Sequence, residues 1–129
     1  LGTLLAGAVM AVAKETKGKT ELEPEDICRI PKIMADLIRE KGKAELGDKT
    51  ILDALIPMSE AVAAEYNNGS ELKHCFHRGA EAARRGAEST AGMIPKAGRA
   101  QWIGERVKDN QDGGAVFCAL VAEIFRLNE

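Results

Sequence analysis

Aromatic side chains are scarce, with one Trp, one Tyr and three Phe among 129 residues. Sheet cores draw heavily on aromatic and β-branched residues, so this shortage weighs against a β sandwich or barrel. An excess of one charge is also missing. Eighteen Lys and Arg against twenty Asp and Glu leave a formal charge of −2, without the basic footprint of a nucleic-acid-binding protein. No apolar run reaches the roughly 18 residues a membrane-spanning helix needs. The three cysteines, Cys28, Cys75 and Cys118, are odd in number and widely spaced. They fit neither a C-x-x-C pair nor a disulfide framework, and such usage points to a reducing, cytoplasmic setting. No charged leader precedes Leu1-Gly2-Thr3-Leu4-Leu5, which reads as the middle of an element. A natural N-terminal part is therefore expected to be missing.

Small residues are abundant: Ala at 20 positions and Gly at 13. With hydrophobic residues at 45% and charged residues at 29%, the chain has an ordinary globular mix for one domain. Leu4, Leu5, Ala8, Val9, Ala11 and Val12 recur at helical spacing within residues 2–16. Pro24 suits the first turn of a second helix, where its absent N–H costs nothing. Ile27, Ile30, Met34, Leu37 and Ile38 continue that helix towards Gly42, with a kink expected at Pro31. Asp48 is an N-cap candidate for a third helix carrying Ile51, Leu52, Leu55, Met58 and Val62, again with a kink at Pro57. After the stop at Asn67-Asn68-Gly69, Ser70 is placed to cap a fourth helix with Leu72, Cys75, Phe76, Gly79, Ala80, Ala83 and Ala87 on one stripe. Val116, Phe117, Leu120, Val121, Ile124 and Phe125 read as a buried final helix over residues 115–127. The expectation is an all-α fold of about five helices and a glycine-punctuated loop from Gly92 to Gly114, long enough to be functional.

Four places carry chemistry. Gly42-Lys43-Ala44-Glu45-Leu46-Gly47-Asp48-Lys49-Thr50 approaches P-loop spacing, but Asp48 is inserted before the lysine and a helix rather than a strand precedes it. That excludes a P-loop fold and leaves two readings: a capped helix start with two solvated charges, or a glycine loop offering N–H groups to a phosphate, aided by Lys49 and Thr50. In the segment Gly98-Arg99-Ala100-Gln101-Trp102, Arg99 has the planar fork suited to phosphate oxygens and Trp102 is a loop anchor; a surface loop with scattered charge is the plainer reading. Asp112-Gly113-Gly114 opens the last helix. Asp112 is an N-cap candidate, and two glycines there make sense where a ligand approaches the backbone closely. His74 and His77 share a helix face as metal ligands can, yet no further ligand with suitable spacing appears, so a surface pair is the reading taken. Arg84 and Arg85 read as solvated helix surface.

Three of these segments, in order, resemble one family. Lys41–Leu55 is similar to the R-G-K-A-x-x-G-D-[KR]-T-M-x-D segment of the nucleotide-binding L subunit of dihydroxyacetone kinase. Gly98–Arg106 resembles its G-R-A-S-Y-L-G-E-R, and Asp112-Gly113-Gly114-Ala115 its D-P-G-A. The resemblance covers essentially the whole chain. It implies an antiparallel bundle or barrel of amphipathic helices, of which residues 1–129 form the C-terminal two-thirds. It implies ADP or ATP as bound nucleotide, with Gly42 and Ile51 lining the pocket, Thr50 on the phosphate side, Arg99 on the phosphates, and Asp112, Gly113 and Gly114 approaching the nucleotide. It also implies a dihydroxyacetone-binding K subunit and a phosphocarrier M subunit as partners. Ile51 replaces the family's Met, a swap of similar size, and Gly113 replaces its Pro, which loosens the turn.

The family's G-D-x-D-H-G segment, whose aspartates hold two magnesium ions, has no counterpart here. Mg2+ is accordingly expected only in the complete subunit, on ligands outside this chain. No catalytic residue is assigned to residues 1–129, and the chain alone is expected to be inactive. Its apolar faces, lacking part of the bundle, are expected to be exposed and to favour a homo-oligomer. The alternatives are the equivalent domain of a single-chain ATP-dependent kinase, or a non-catalytic helical module that kept the bundle and lost the chemistry.

Overall fold

The computed structural model describes residues 2–18, 21–93 and 110–127. Five helices follow one another: α1 (Gly2–Glu15), α2 (Pro24–Gly42), α3 (Leu52–Asn67), α4 (Leu72–Ser89) and α5 (Gly113–Leu127). Among the described residues there is no strand, as the composition implied. Consecutive helices pack on each other, and α3 also meets α5. Only Asn68–Glu71 separate α3 from α4, too short a span to return along a 16-residue helix, so the two run antiparallel.

α2 begins and ends where the pattern predicts. Pro24 occupies its first turn, and the Asp26 carboxylate accepts the Glu23 N–H at 3.0 Å. The helix then runs on through Pro31, as α3 does through Pro57, so neither proline divides its helix. Both rings fall where helix packing outweighs one lost hydrogen bond; Pro31 is buried. Ser70 does not cap α4. The N-cap is Glu71, and the Ser70 hydroxyl instead donates to Glu65 Oε2 at 2.8 Å.

The core is built from small side chains. Ala54, Val62, Cys75, Ala80, Ala83, Ala115 and Ala122 are buried around Ile38, Leu52 and Leu55. The α3–α4 seam is the tightest. A Cβ added to Gly79 would lie 2.6 Å from Val62 Cγ2, and one added to Gly86 would overlap the carbonyl oxygen of Asp53 and lie 2.9 Å from Ala54 Cα. Gly86 is therefore required by the close backbone approach rather than by an unusual turn.

The last helix departs from expectation. Ala115, Cys118 and Ala122 form its buried face, whereas Phe117, Leu120 and Ile124 are exposed at 49%, 60% and 57%. Val9 and Met10 of α1 are exposed as well. Periodicity marks an apolar stripe but does not say whether a partner covers it. An apolar cleft of about 270 Å³, bordered by Leu5, Ile30, Met34, Ile51, Leu55 and Phe117, opens between the helices.

Gly86→Ala should therefore separate α3 from α4 and cost about 1–3 kcal/mol or more. Gly113→Ala, where a Cβ meets nothing within 4 Å, should leave the denaturation midpoint nearly unchanged. Urea titrations of the two variants check this contrast.

Candidate functional site

One end of the bundle gathers the loop between α2 and α3, the turn after α4 and the start of α5. The loop begins at Lys43, which closes α2 in the left-handed conformation (φ 50°). It turns at Gly47 (φ 94°) and passes through a second left-handed non-glycine residue, Lys49 (φ 61°). Such conformations cost an L-residue free energy and persist only where the surroundings impose them.

Asp53, in the first turn of α3 and only 3% exposed, imposes them here. Its Oδ1 accepts the Gly47 N–H at 2.7 Å and its Oδ2 the Thr50 N–H at 3.0 Å. Thr50 Oγ1 accepts the Leu52 N–H at 3.1 Å. Asp48 does not cap α3. Its carboxylate accepts the Glu45 N–H at 3.0 Å while its own N–H donates to the Glu45 carbonyl, closing a tight turn four residues ahead of the helix. α3 consequently starts at Leu52.

These bonds bear on both readings of the loop. The N–H groups of Gly47, Asp48, Thr50 and Leu52 all have intramolecular acceptors, so the loop is not an open N–H cradle of the P-loop kind. Nor is Lys49 a solvated charge. It is 3% exposed, and its ammonium donates to the Met93 carbonyl at 3.1 Å, tying the loop to the turn that follows α4.

The start of α5 is fixed from the same side. Thr90, fully buried, donates to the Ala87 carbonyl at 2.5 Å and accepts the Asp112 N–H at 2.7 Å. The Asp112 carboxylate accepts the Ala115 N–H at 2.9 Å, as an N-cap does. Burial pushes the Asp112 carboxyl above the usual carboxylate range. The Ala115 and Gly114 N–H groups oppose this, the nearby Asp53 charge adds to it, and Lys49 counters it. A Cβ on Gly114 would stand 3.1 Å from the Asp112 carboxylate and 3.3 Å from Ile51 Cβ, so the two segments touch at this glycine.

Of the residues the sequence singles out, Thr50, Ile51, Asp112, Gly113 and Gly114 thus belong to one end of the fold. Gly42 ends α2 beside α1, where a Cβ would meet Leu4. Arg99 and Trp102 lie outside the described residues. Sequence reasoning missed Asp53 and Thr90 as site builders, and it named Lys49 as an aid to phosphate binding rather than as the buried tie to Met93. Asp53 alone had a local signal, a carboxylate at the start of a helix three residues beyond Thr50.

The histidine pair has its own explanation. The His74 and His77 rings stack with centroids 6.5 Å apart, and their Nε2 atoms lie 3.3 Å from Glu65 and Glu81 respectively. Arg78 beside Glu81 holds that carboxyl below its usual range. Among the described residues no group of three His, Cys, Asp or Glu is placed to hold a metal ion. No helix among the described residues is long and apolar enough to cross a membrane.

Comparison with known proteins shows which family the chain is similar to. The DAK2 domain model matches residues 1–126. The ADP-binding subunit DhaL of PEP-dependent dihydroxyacetone kinase 2 from Listeria innocua is 34% identical over 114 residues, covering 88% of this chain and 52% of that subunit. The ADP-binding subunit DhaL of the Escherichia coli PEP-dependent dihydroxyacetone kinase is 28% identical over 126 residues, 98% of this chain and 60% of that subunit. L-erythrulose kinase of Pectobacterium atrosepticum is 38% identical over 82 residues, 64% of this chain and 14% of that protein. The chain thus spans about half to three-fifths of the length of its DhaL relatives.

The raised Asp112 carboxyl has a testable consequence. A carboxyl that holds its proton more tightly folded than unfolded loses stability as pH rises from the ordinary carboxylate range, about pH 4, through its raised value. Asn caps a helix about as well as Asp and does not titrate. Asp112→Asn should therefore keep the fold and remove this decline, so that the variant gains on the parent as pH rises from about 4 to 7. Denaturation midpoints across that range measure it.

Proposed function

Because the chain belongs to the DAK2 domain family, we propose that it forms the nucleotide-binding part of a dihydroxyacetone kinase. The observation that carries this reading is the convergence of the Lys43–Ile51 loop and the Asp112-Gly113-Gly114 start of α5, joined where Gly114 meets Ile51. Gly113 leaves the surface over the first turn open, and Ile51 offers an apolar wall for a base. The N–H groups of Gly114 and Ala115 already serve Asp112. Asp112 accordingly suits a donor on the ligand, a ribose hydroxyl or a base amine, better than a phosphate. The phosphates fall to Arg99, with Thr50 on their side of the loop and Gly42 lining the pocket with Ile51.

In this reading ADP or ATP is the bound nucleotide, and the γ-phosphoryl group passes to dihydroxyacetone on a partner K subunit. A phosphocarrier M subunit restores the ATP. Mg2+ belongs to the complete subunit, where it neutralises charge developing on the transferred group; its ligands lie outside residues 1–129. The chain acts in the cytoplasm, and the exposed faces of α1 and α5 favour a homo-oligomer. The second reading, a domain of a single-chain ATP-dependent kinase, draws on the erythrulose kinase likeness, in which the matched stretch is a small share of the relative.

Titration calorimetry of the complete protein with ADP tests the proposal. Charge-assisted bonds from a desolvated guanidinium are worth about 1.5–3 kcal/mol, so Arg99→Ala should weaken ADP binding about ten- to a hundred-fold. Arg99→Lys should recover only part. Arg84→Ala, on the exposed face of α4, should leave the affinity unaltered. Equal ADP affinity in Arg99→Ala and the parent removes the phosphate role from Arg99.

A further inference from the structure

Asp53 is a buried carboxylate with no place among the nucleotide-facing residues, and its role is geometric. It sits at the tightest point of the helix seam, where its own carbonyl fills the space left by Gly86. From there its two oxygens reach back to the N–H groups of Gly47 and Thr50, at the two ends of a four-residue arc. That arc contains Lys49, left-handed and buried. Held this way, Ile51 is set against Gly114 by a rigid element rather than by a free loop. Sites supported on rigid elements keep their geometry, and misplacement by about 1 Å can cost a hundred-fold in function.

We propose that Asp53 is the positioning residue of the nucleotide site, holding the Gly47–Ile51 arc in its binding shape through its paired bonds to Gly47 and Thr50. The inference rests on the nucleotide reading above and adds to it a residue that touches no ligand. Asn at this position keeps the size but turns one acceptor into a donor facing an N–H, so one of the two bonds is lost. The arc then relaxes from its left-handed turn, while α3 remains packed.

The test uses the complete protein and ADP itself. Asp53→Asn should weaken ADP binding about ten-fold or more. It should also speed amide hydrogen exchange at Gly47 and Thr50 without doing so along the middle of α3. Val62→Ala, fully buried further along the same helix, is a control that lowers stability without touching the arc and should bind ADP as the parent does. Gly47→Ala strains the arc from its other end, with open space around the added methyl. It should weaken ADP binding by itself and add less than its full effect to Asp53→Asn; it stands in should the Asp53 variant not fold. Parent-like ADP affinity in Asp53→Asn or in Gly47→Ala, or an equal loss in Val62→Ala, overturns the proposal while leaving the nucleotide reading intact. Failure of the parent to bind ADP overturns both.

Discussion

The approach of the α4 backbone to the first turn of α3 at Gly86 governs the rest of the molecule. Where Gly86 faces the Asp53 carbonyl there is no room for a side chain. That contact fixes the depth at which Asp53 enters the bundle and, through it, where the loop before α3 can lie. A core so rich in Ala and Cys, with glycines at the helix seam, carries less apolar area per residue than one of large aliphatic side chains. It compensates by letting backbones come close, so that each contact is short and dispersion acts over many atoms. The cost is intolerance: a methyl group at the seam has nowhere to go, whereas a large aliphatic core can often repack.

Three ties meet at the same end and differ in range. Asp53 binds locally, over three and six residues. Thr90 reaches Asp112 across 22 positions, and Lys49 reaches Met93 across 44. The first shapes a loop, the second sets the entry angle of α5, and the third connects loop to turn. Among the described residues no buried polar side-chain atom lacks a partner. A polar cluster that is fully satisfied can be rigid without the penalty of desolvated, unpaired groups.

What was legible in the sequence follows from range. α2 could be read from Pro24 to Gly42 because its signals, a proline in the first turn and a glycine at the end, act within a few residues. The all-helical class and the family resemblance were legible for the same reason, as patterns and motifs in order. The start of α3 was misplaced because Asp48 has two local uses, capping a helix or closing a turn, and its bond to Glu45 decides for the turn. The burial of Lys49 was not legible at all, since its acceptor is Met93. Nor could the exposure of Phe117, Leu120 and Ile124 be read from their spacing, because spacing records which side is apolar and not what lies against it.

The three cysteines sit one each on α2, α4 and α5, all reduced and all buried. Burial pushes Cys28 and Cys118 to about 11, with the neighbouring Cys75 thiol adding to the rise at Cys28. At neutral pH almost none of either is thiolate, and an alkylating reagent reacts only with thiolate it can reach. The rate of thiol modification therefore becomes a clock for helix opening. Cys28 and Cys75 time the parting of α2 from α4, and Cys118 times the release of α5, so the chain carries its own probes of which helix leaves the bundle first.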